Sequence, residues 1–272
     1  MGERKNLVEV SFKLSLEEHY DLLKEIYNID KNCKLNETEA EAFEWALKNN
    51  NVELASRLIQ SGADVTADNN YAIRYATRYG YTEMVKQLIE AGADVTAQDN
   101  YAIRHAAESG HTEVVKLLID AGADLTADDN YAIRNAAGGG HTEVVKLLIE
   151  EGADVTAWEN DAIKRATENG HAEIVKLLIE AGADVTTNNN YAIRYAAANG
   201  HAEIVKMLIE AGADVTAVDN YAIRYAAKNG HTEVVKMLIE ARSDVDDYSI
   251  KSVFLDHISS QIRKLKNFLK NL

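Results

Sequence analysis

Residues 100–129 read NYAIRHAAESGHTEVVKLLIDAGADLTADD, and the same pattern recurs through the middle of the chain at a spacing of 30 residues. The six copies begin at Asn70, Asn100, Asn130, Asn160, Asn190 and Asn220. Self-similarity at a fixed period of this size is typical of a solenoid, because each unit buries its apolar face only against its neighbours. The repeat therefore predicts one continuous domain that is built by stacking units.

Each repeat carries the signals of two helices joined by a turn. In the first full copy, Asn70 precedes a short apolar-periodic segment, and we predict that its side chain caps a first helix over residues 71–79. A second helix is predicted to start near Thr82, a further candidate cap, and to end before Gly92. Residues 93–99 are then too few for a strand of any length. The predicted unit is two antiparallel helices and a turn.

Three segments of the repeat resemble a known family. They are Gly110-His111, the run Glu-Val-Val-Lys-Leu-Leu at 113–118, and Ala-Gly-Ala-Asp at 121–124. Together they resemble the ankyrin repeat, over roughly residues 41–247. The resemblance implies an all-α ankyrin-repeat solenoid of helix-turn-helix units, a fold that binds other proteins and is not an enzyme.

The repeat departs from the family pattern in two respects. The family's Thr-Pro-Leu-His is Tyr71-Ala72-Ile73-Arg74 here, and the usual family period of about 33 residues is shortened to 30. By alignment the missing residues come from the connector, which in the family forms a projecting β-hairpin finger. We therefore expect shortened fingers and almost no sheet. Thirty-residue repeats of this kind are similar to those of large DNA viruses of amoebae, which implies a viral protein.

The two ends of the chain differ from the repeats, as the ends of a solenoid should. Residues 1–40 are predicted to form an N-terminal helical cap, in which Ser15-Leu16-Glu17-Glu18 resembles a capping box. Residues 41–247 hold about seven repeats, of which the first is degenerate. Residues 248–272 are predicted to form a basic C-terminal capping helix, with a membrane-surface segment or a docking motif as the alternatives.

Composition excludes several classes of function. The formal charge of −15 disfavours broad binding to nucleic acid or to anionic membranes, because both need a positive footprint. The single cysteine, Cys33, excludes an intramolecular disulfide framework and fits a reducing compartment. No apolar run approaches the roughly 20 residues of a membrane span. We expect an intracellular, cytoplasmic protein, in the host cell cytoplasm if it is viral.

Comparison among the six copies separates scaffold positions from positions that can be tuned to a partner. Positions that stay constant serve the scaffold, whereas exposed positions that vary are candidates for binding. The variable positions lie on what we call the inner-helix face, the side of each first helix opposite its apolar residues, which is expected to be concave. The predicted partner-binding residues on this face and at the connector tips are Tyr75, Arg78, Tyr79, His105, Glu108, Asn135, Trp158, Asp161, Arg165, Glu168, Tyr195, Tyr225 and Lys228.

One column of the inner-helix face is basic in every copy. This basic ladder consists of Arg74, Arg104, Arg134, Lys164, Arg194 and Arg224. Beside it runs a column of tyrosines, broken at Asp161, so the pair of columns could hold phosphates and stack bases. The structural alternative is that each arginine stacks on a tyrosine and pairs with a nearby acid such as Asp99 or Asp129.

The fourth copy departs most from the pattern. Its connector carries Trp158 where the other copies have Asp, Gln, Asn or Val, and Asp161 and Arg165 also break their columns. Tryptophan, tyrosine and arginine are enriched at interface hot spots. A tryptophan lying flat over a turn is the alternative, and Trp158 is the first residue to mutate.

The recurring histidines, of which His111 and His141 are two, invite a metal hypothesis. Stacked helices lie about 8–10 Å apart, whereas Zn–N bonds are about 2.0–2.1 Å long, so successive copies cannot share one ion. The family resemblance implies that these histidines bond backbone groups between units. Because no phosphate-binding glycine loop or nucleophile motif occurs either, we expect no enzyme, no metal site and no cofactor.

The sequence therefore predicts a non-catalytic scaffold or adaptor that binds another protein through the inner-helix face and the connector tips, in a chain expected to be monomeric. Two alternatives stay open. The basic ladder could bind phosphate or nucleic acid, or the chain could be a self-associating architectural protein.

Overall fold

The computed structural model describes residues 37–242, and over this range the chain forms fourteen helices and no strand. In chain order they are α1 Glu37–Lys48, α2 Val52–Gln60, α3 Ala67–Arg78, α4 Thr82–Glu90, α5 Ala97–Glu108, α6 Thr112–Asp120, α7 Ala127–Gly139, α8 Thr142–Glu150, α9 Ala157–Glu168, α10 Ala172–Glu180, α11 Thr187–Asn199, α12 Ala202–Glu210, α13 Ala217–Asn229 and α14 Thr232–Glu240. The predicted helix that opens at Ser15 and the predicted C-terminal helix over 248–272 lie outside the described residues.

The described residues divide into two compact units. The first contains residues 37–102 and Asp120–Ala123, and the second contains Ile103–Ile119 and residues 124–242. In the first unit, α1 packs on α2 and α3, and α4 packs on α2 and α3. In the second unit, the first helices α7, α9, α11 and α13 pack side by side, and the second helices α8, α10, α12 and α14 form a parallel row behind them. Both units are solenoids of helix-turn-helix repeats, as the sequence predicted.

Each repeat contributes the same apolar positions to the core. In the repeat of α7 and α8, Ile133, Val145 and Leu148 are fully buried, and Ala136 fills the close approach between helices. The second helices are strongly amphipathic, because their apolar residues recur with helical spacing while Glu and Lys occupy the outer side. Burial of one such leucine contributes about 1.5–3 kcal/mol. Stacking of neighbouring repeats, and not any central core, supplies most of the stability.

Each first helix from α3 to α13 contains, directly after its first residue, three residues in the left-handed conformation. In the fourth copy these are Trp158, Glu159 and Asn160, with φ values of 51°, 57° and 58°. Asparagine and aspartate tolerate this conformation better than other residues with a Cβ, and they fill most of these positions in the other copies. The chain therefore reverses direction in the short connectors through residues of left-handed conformation, and no strand forms in the described range.

The predicted capping role of Asn70 is wrong. Its side-chain Oδ1 accepts a hydrogen bond from the backbone N–H of Asp94 in the next connector, at 2.7 Å. Asn70 has a φ of 60° and lies within the bounds of α3, whose N-cap residue is Thr66. The same bond between neighbouring copies joins Asn130 to Asp154, Asn160 to Asp184 and Asn190 to Asp214. In these four copies the asparagine thus fixes its own connector to the next one.

Thr82 does not cap its helix either. The N-cap residue is Tyr81, which makes no side-chain capping bond, and the Thr82 hydroxyl donates to the carbonyl oxygen of Gly80. Gly80 itself has a φ of 71°, so this glycine supplies the left-handed residue that ends the first helix. The turn between the two helices is therefore built by backbone conformation and not by a side-chain cap.

Candidate protein-binding face

The basic ladder first serves the left-handed turns. Nε of Arg134 donates to the carbonyl oxygen of Asp129 and one of its terminal nitrogens to that of Asp128, both at 2.8 Å. Arg74 and Arg194 make the same pair of bonds within their own copies, at 3.0 Å. A planar guanidinium suits this task because its donors are fixed in a fork. These arginines therefore satisfy carbonyl groups that the left-handed turns expose.

The ladder also stacks on the tyrosine column, as the structural alternative expected. The guanidinium carbon lies 5.4 Å from the ring centroid of the next copy's tyrosine for Arg74 on Tyr101 and 5.3 Å for Arg104 on Tyr131. The expected pairing with acids is only partly correct. Arg104 pairs with the carboxylate of Asp128 at 2.8 Å, whereas the earlier candidate Asp129 offers its backbone carbonyl to Arg134.

The fourth copy replaces this stacking arrangement with an ionic one. Asp161 occupies the tyrosine position, and its buried carboxylate pairs with Arg134 at 3.3 Å and with Arg165 at 2.5 Å. The ring of Trp158 takes over the place above Arg134, with its centroid 4.6 Å from the guanidinium carbon. The two unusual residues therefore compensate each other: a tyrosine is lost at 161 and an aromatic ring is gained at 158.

Trp158 nevertheless remains the most exposed large apolar side chain in the described residues, at 60%. It also has a φ of 51°, a conformation that costs an L-residue roughly 1–2 kcal/mol. The equivalent Asn188 adopts the same conformation with a residue type that suits it. Stacking on Arg134 explains the position of the ring, but not why an exposed tryptophan stands where asparagine or aspartate fits better.

The departures of the third and fourth copies meet at one cleft of about 420 Å³ in the second unit. Five of the predicted partner-binding residues line it, namely Glu108, Asn135, Asp161, Arg165 and Glu168. The remaining lining residues are Gly138, Gly139 and Asn169. A volume of several hundred cubic ångströms is the usual size of a ligand pocket. Five of the eight lining residues are thus among those that comparison of the copies had marked as variable.

Two matching pairs stand on either side of the cleft. The hydroxyl of Tyr191 donates a short hydrogen bond to the carboxylate of Glu168. Tyr131 and Glu108 are the equivalent residues one pair earlier, and they lie close enough for the Glu108 carboxylate to raise the pKa of the phenol. Burial, followed by this hydrogen bond, raises the pKa of Tyr191, and burial with the charge of Glu108 raises the pKa of Tyr131. Both phenols therefore stay neutral donors at physiological pH.

The cleft lies where the corresponding pair between them is missing. The equivalent positions carry Gly138 and Asp161 in place of a glutamate and a tyrosine. A Cβ atom added to Gly138 would lie 3.3 Å from Cβ of Arg165, so the glycine lets the Arg165 side chain pass over α7 towards Asp161. Glycine within a helix lowers stability by about 1 kcal/mol relative to alanine. The cleft therefore results from two linked replacements, Gly138 for a glutamate and Asp161 for a tyrosine, and the glycine lowers the stability of α7.

The other predicted residues lie outside the cleft. In the first unit, Tyr75 and Tyr79 belong to a tyrosine cluster in which their ring centroids are 4.6 Å apart, and Tyr79 and Arg78 are exposed.

In the second unit, His105 contacts the Glu108 carboxylate at 2.8 Å. Three more belong to the far end of this unit: Tyr195 stacks on Tyr191 at 4.1 Å, Tyr225 on Tyr221 at 4.0 Å, and Lys228 lies over Tyr225 at 5.4 Å.

The rest of the basic ladder is less uniform. Arg194 lies over Tyr221 at 5.2 Å, in the same arrangement as the earlier copies. Arg224 donates to the carbonyl oxygen of Val218 at 3.4 Å and is exposed. Lys164, which interrupts the column of arginines, is half-buried in the fourth copy. The ladder therefore changes most where the fourth copy departs from the pattern.

The recurring histidines bond backbone carbonyls between copies, as the family resemblance implied. Nε2 of His141 donates to the carbonyl oxygen of Glu108 at 2.9 Å, and Nε2 of His171 donates to that of Gly138 at 3.1 Å. Asn169 donates to the same Gly138 carbonyl at 2.8 Å. These bonds hold the end of each first helix to the next repeat. They also give the cleft a floor whose backbone is fixed.

Sequence reasoning missed the residues that build this floor. Gly138 and Gly139 break the repeat pattern and Tyr131 and Tyr191 belong to the tyrosine column, but none of them was among the predicted partner-binding residues, and Asn169 was not singled out. The constant spacing of 23 residues between each glutamate and its tyrosine, as from Glu168 to Tyr191, would have revealed the pairs. This spacing has no local meaning in a helix and becomes visible only when adjacent copies are aligned.

Comparison with known proteins agrees with this architecture. The profile of the family described as Ankyrin repeats (3 copies) matches residues 12–99, 103–189 and 163–249. The crystal structure of the human ASB11 ankyrin repeat domain is similar to this chain with a TM-score of 0.66 and 21% sequence identity, over 74% of this chain and 98% of that one. None of the curated protein sequences matches the chain significantly. Within the described residues, no helix is both long and apolar enough to cross a membrane.

Proposed function

Because the chain belongs to the ankyrin repeat family, whose repeats are generic protein-binding modules, we propose that it is a non-catalytic scaffold or adaptor that binds another protein through the inner-helix face of its second unit. The observation that carries this proposal is the convergence of broken repeat positions on one cleft, beside an exposed tryptophan. Scaffold needs alone would favour the residues that the other copies carry at these positions.

The strained position of Trp158 supports a role in binding. Natural sequences keep destabilising residues mainly where function requires them. Exposed tryptophan is the residue type most often found at the centre of an interface hot spot, where truncation costs at least about 2 kcal/mol. The cleft and Trp158 are joined through Asp161 and Arg134, so one partner segment could contact both. The binding site therefore extends from the cleft to the connector of the fourth copy.

Affinity capture from a cell extract tests this proposal, with Trp158→Asn compared with wild type. Asparagine is the matched replacement because Asn188 holds the same conformation in the next copy, so the fold should be retained. Glu143→Ala on the exposed side of α8 is the control. We expect one protein to be captured by wild type and by the control but lost from Trp158→Asn. Capture of the same proteins by all three chains would reject the site.

Binding of nucleic acid or phosphate by the basic ladder is the alternative, and the contacts of the ladder weigh against it. The guanidinium groups of Arg74, Arg134 and Arg194 already donate to turn carbonyls, and releasing them would expose unsatisfied backbone groups. The formal charge of −15 opposes a polyanion as well. Self-association is the third possibility and predicts a mass that rises with concentration, whereas we propose a monomer.

We also propose a cytoplasmic location, from the single cysteine and the soluble-protein composition, and a viral source, from the 30-residue period. The first rests on cysteine usage, since reducing compartments disfavour disulfides. The second rests on the resemblance of the repeat alone. Cell fractionation with an antibody raised against the chain tests the location.

A further inference from the structure

The geometry points to the cleft between α7 and α9 as a receptor for one basic side chain, arginine or lysine, of the partner protein. This inference rests on the proposed function and names the chemistry that the partner must bring. The cleft has a volume of about 420 Å³. The backbone carbonyl of Gly138 forms part of its floor and already accepts hydrogen bonds from Asn169 and His171. An occupant must therefore be recognised mainly by the side chains of the walls.

The charged residues at the cleft divide into two groups. The inner group, one aspartate and two arginines, has a formal charge of +1, and the outer group, two glutamates, has a formal charge of −2. Asp161 pairs with both Arg134 and Arg165 at the inner end, so its negative charge is met by two guanidinium groups. The guanidinium group of Arg134 also donates hydrogen bonds to the backbone carbonyl oxygens of Asp128 and Asp129. The two inner arginines are therefore already engaged by groups of the protein itself.

The outer group consists of Glu108 and Glu168, one on each side of the Gly138 gap. The carboxylate of Glu168 accepts a hydrogen bond from the hydroxyl of Tyr191. The carboxylate of Glu108 contacts Nδ1 of His105 at 2.8 Å and lies near the phenol of Tyr131. A phenol holds a carboxylate in place without neutralising its charge. The two glutamates thus face the cleft as pre-oriented acceptors, and the acidic surroundings of a chain with a formal charge of −15 add to their attraction for a cation.

The shape of the cleft fits the same occupant. The gap is what remains after a glutamate and a tyrosine are replaced by Gly138 and Asp161, so it has room for a long side chain with a polar end. The carbon atoms of Arg165 that pass over Gly138 provide an apolar wall for the stem of such a side chain. An arginine or lysine combines an apolar stem with a cationic head, and an acidic or purely apolar residue would bring no positive charge to the two glutamates.

Selection of random 12-residue peptides on wild-type protein, with parallel selection on Glu108→Gln/Glu168→Gln, tests the inference. We expect peptides that prefer wild type to share one arginine or lysine. Replacing this residue by methionine should weaken binding at least tenfold, and the double glutamine variant should lose the same peptides to the same degree. Higher salt should weaken them as well.

A second variant rebuilds the missing pair with the residues that the chain itself uses. Gly138→Glu/Asp161→Tyr restores the glutamate and tyrosine of the flanking copies and closes the gap, so the basic peptides should no longer bind. Thermal unfolding of each variant checks that the fold is retained. The control Glu143→Gln/Glu173→Gln, on the exposed sides of α8 and α10, removes the same charge elsewhere and should keep the peptides.

The outcomes separate the two proposals. Peptides that require Trp158 but contain no shared basic residue, or that bind the double glutamine variant as well as wild type, would overturn the basic-side-chain receptor and leave the protein-binding face standing. Peptides that depend on neither Trp158 nor the two glutamates would overturn both. Equal loss in the charge-matched control would also overturn the inference, because a general field and not the cleft would then select the cation.

Discussion

Replacement of Asn160 should show how much one bond between neighbouring connectors contributes to the solenoid. Asn160 is 5% exposed, has a φ of 58°, and accepts a hydrogen bond from the backbone N–H of Asp184 at 2.7 Å. Alanine at this position removes the acceptor and leaves a part-buried N–H unsatisfied, at a cost of about 1–3 kcal/mol. It also places a residue with less tolerance for the left-handed region there, at roughly 1 kcal/mol more. We expect Asn160→Ala to lower the free energy of unfolding by about 2–4 kcal/mol.

Two further variants separate these contributions. Asn160→Asp keeps both an acceptor oxygen and a residue that tolerates a positive φ, so its cost should stay below about 1 kcal/mol. Asn160→Gly keeps the conformation but has no acceptor, and should fall between the aspartate and alanine variants. The expected order of stability is therefore wild type, Asp, Gly and Ala.

Urea unfolding followed by circular dichroism measures this order, and amide hydrogen exchange measures the bond itself. Because a solenoid can unfold in parts, the exchange rate of the Asp184 N–H is the more direct observable. It should rise in the Ala and Gly variants and stay close to wild type in Asn160→Asp. Equal stability and equal exchange in Asn160→Ala and Asn160→Asp would show that the bond contributes nothing, and the reasoning would be wrong.

Three more predictions follow from the contacts described above. Leu148→Ala and Leu118→Ala, both at fully buried positions, should each cost about 2–5 kcal/mol, and an unchanged urea midpoint for either would contradict stacking as the source of stability. The pKa of Tyr191 is raised above the usual tyrosine value of 10.0, so its neutral form contributes stability that is fully present below pH 10.0 and is lost as the pH rises through the higher folded value. Tyr191→Phe should therefore make the fall of stability above about pH 10 shallower. An identical pH profile for the variant and wild type would refute the assignment. Arg104→Ala with Arg194→Ala should lower the thermal midpoint without changing retention on single-stranded DNA at low salt, whereas a loss of DNA retention would favour the nucleic-acid alternative.

The sequence predicted the repeat architecture because stacking positions must be the same in every copy. Apolar residues such as Val145 and Leu148 recur with helical spacing, and glycines such as Gly80 mark the turns, so local rules were enough for helix content and for most helix bounds. The short period correctly predicted connectors without strands in the described range. Comparison of copies also marked residues that line the cleft, such as Asp161 and Arg165, because they break columns that are otherwise regular, but it predicted no cleft.

The predictions that failed concern partners that are distant in sequence. Asn70 and Thr82 stand where local rules expect caps, but Asn70 bonds to a connector 24 residues away and Thr82 bonds to Gly80. The left-handed turn decides this outcome, because it turns the asparagine side chain towards the neighbouring copy. No local propensity rule predicts three consecutive residues of positive φ. In several copies arginines such as Arg134 satisfy the carbonyl groups that these turns expose.

By itself, the sequence determined that the chain is a stack of helical repeats and which positions vary among them. Periodicity carries that information because every copy must present the same apolar surface to its neighbours. Only the tertiary structure decided that Trp158 replaces a missing tyrosine above Arg134, and that Gly138 and Asp161 open a cleft between two acidic pairs. Those facts depend on which side chains meet across adjacent copies, and a spacing of 23 to 27 residues between partners carries no signal until the helices are stacked.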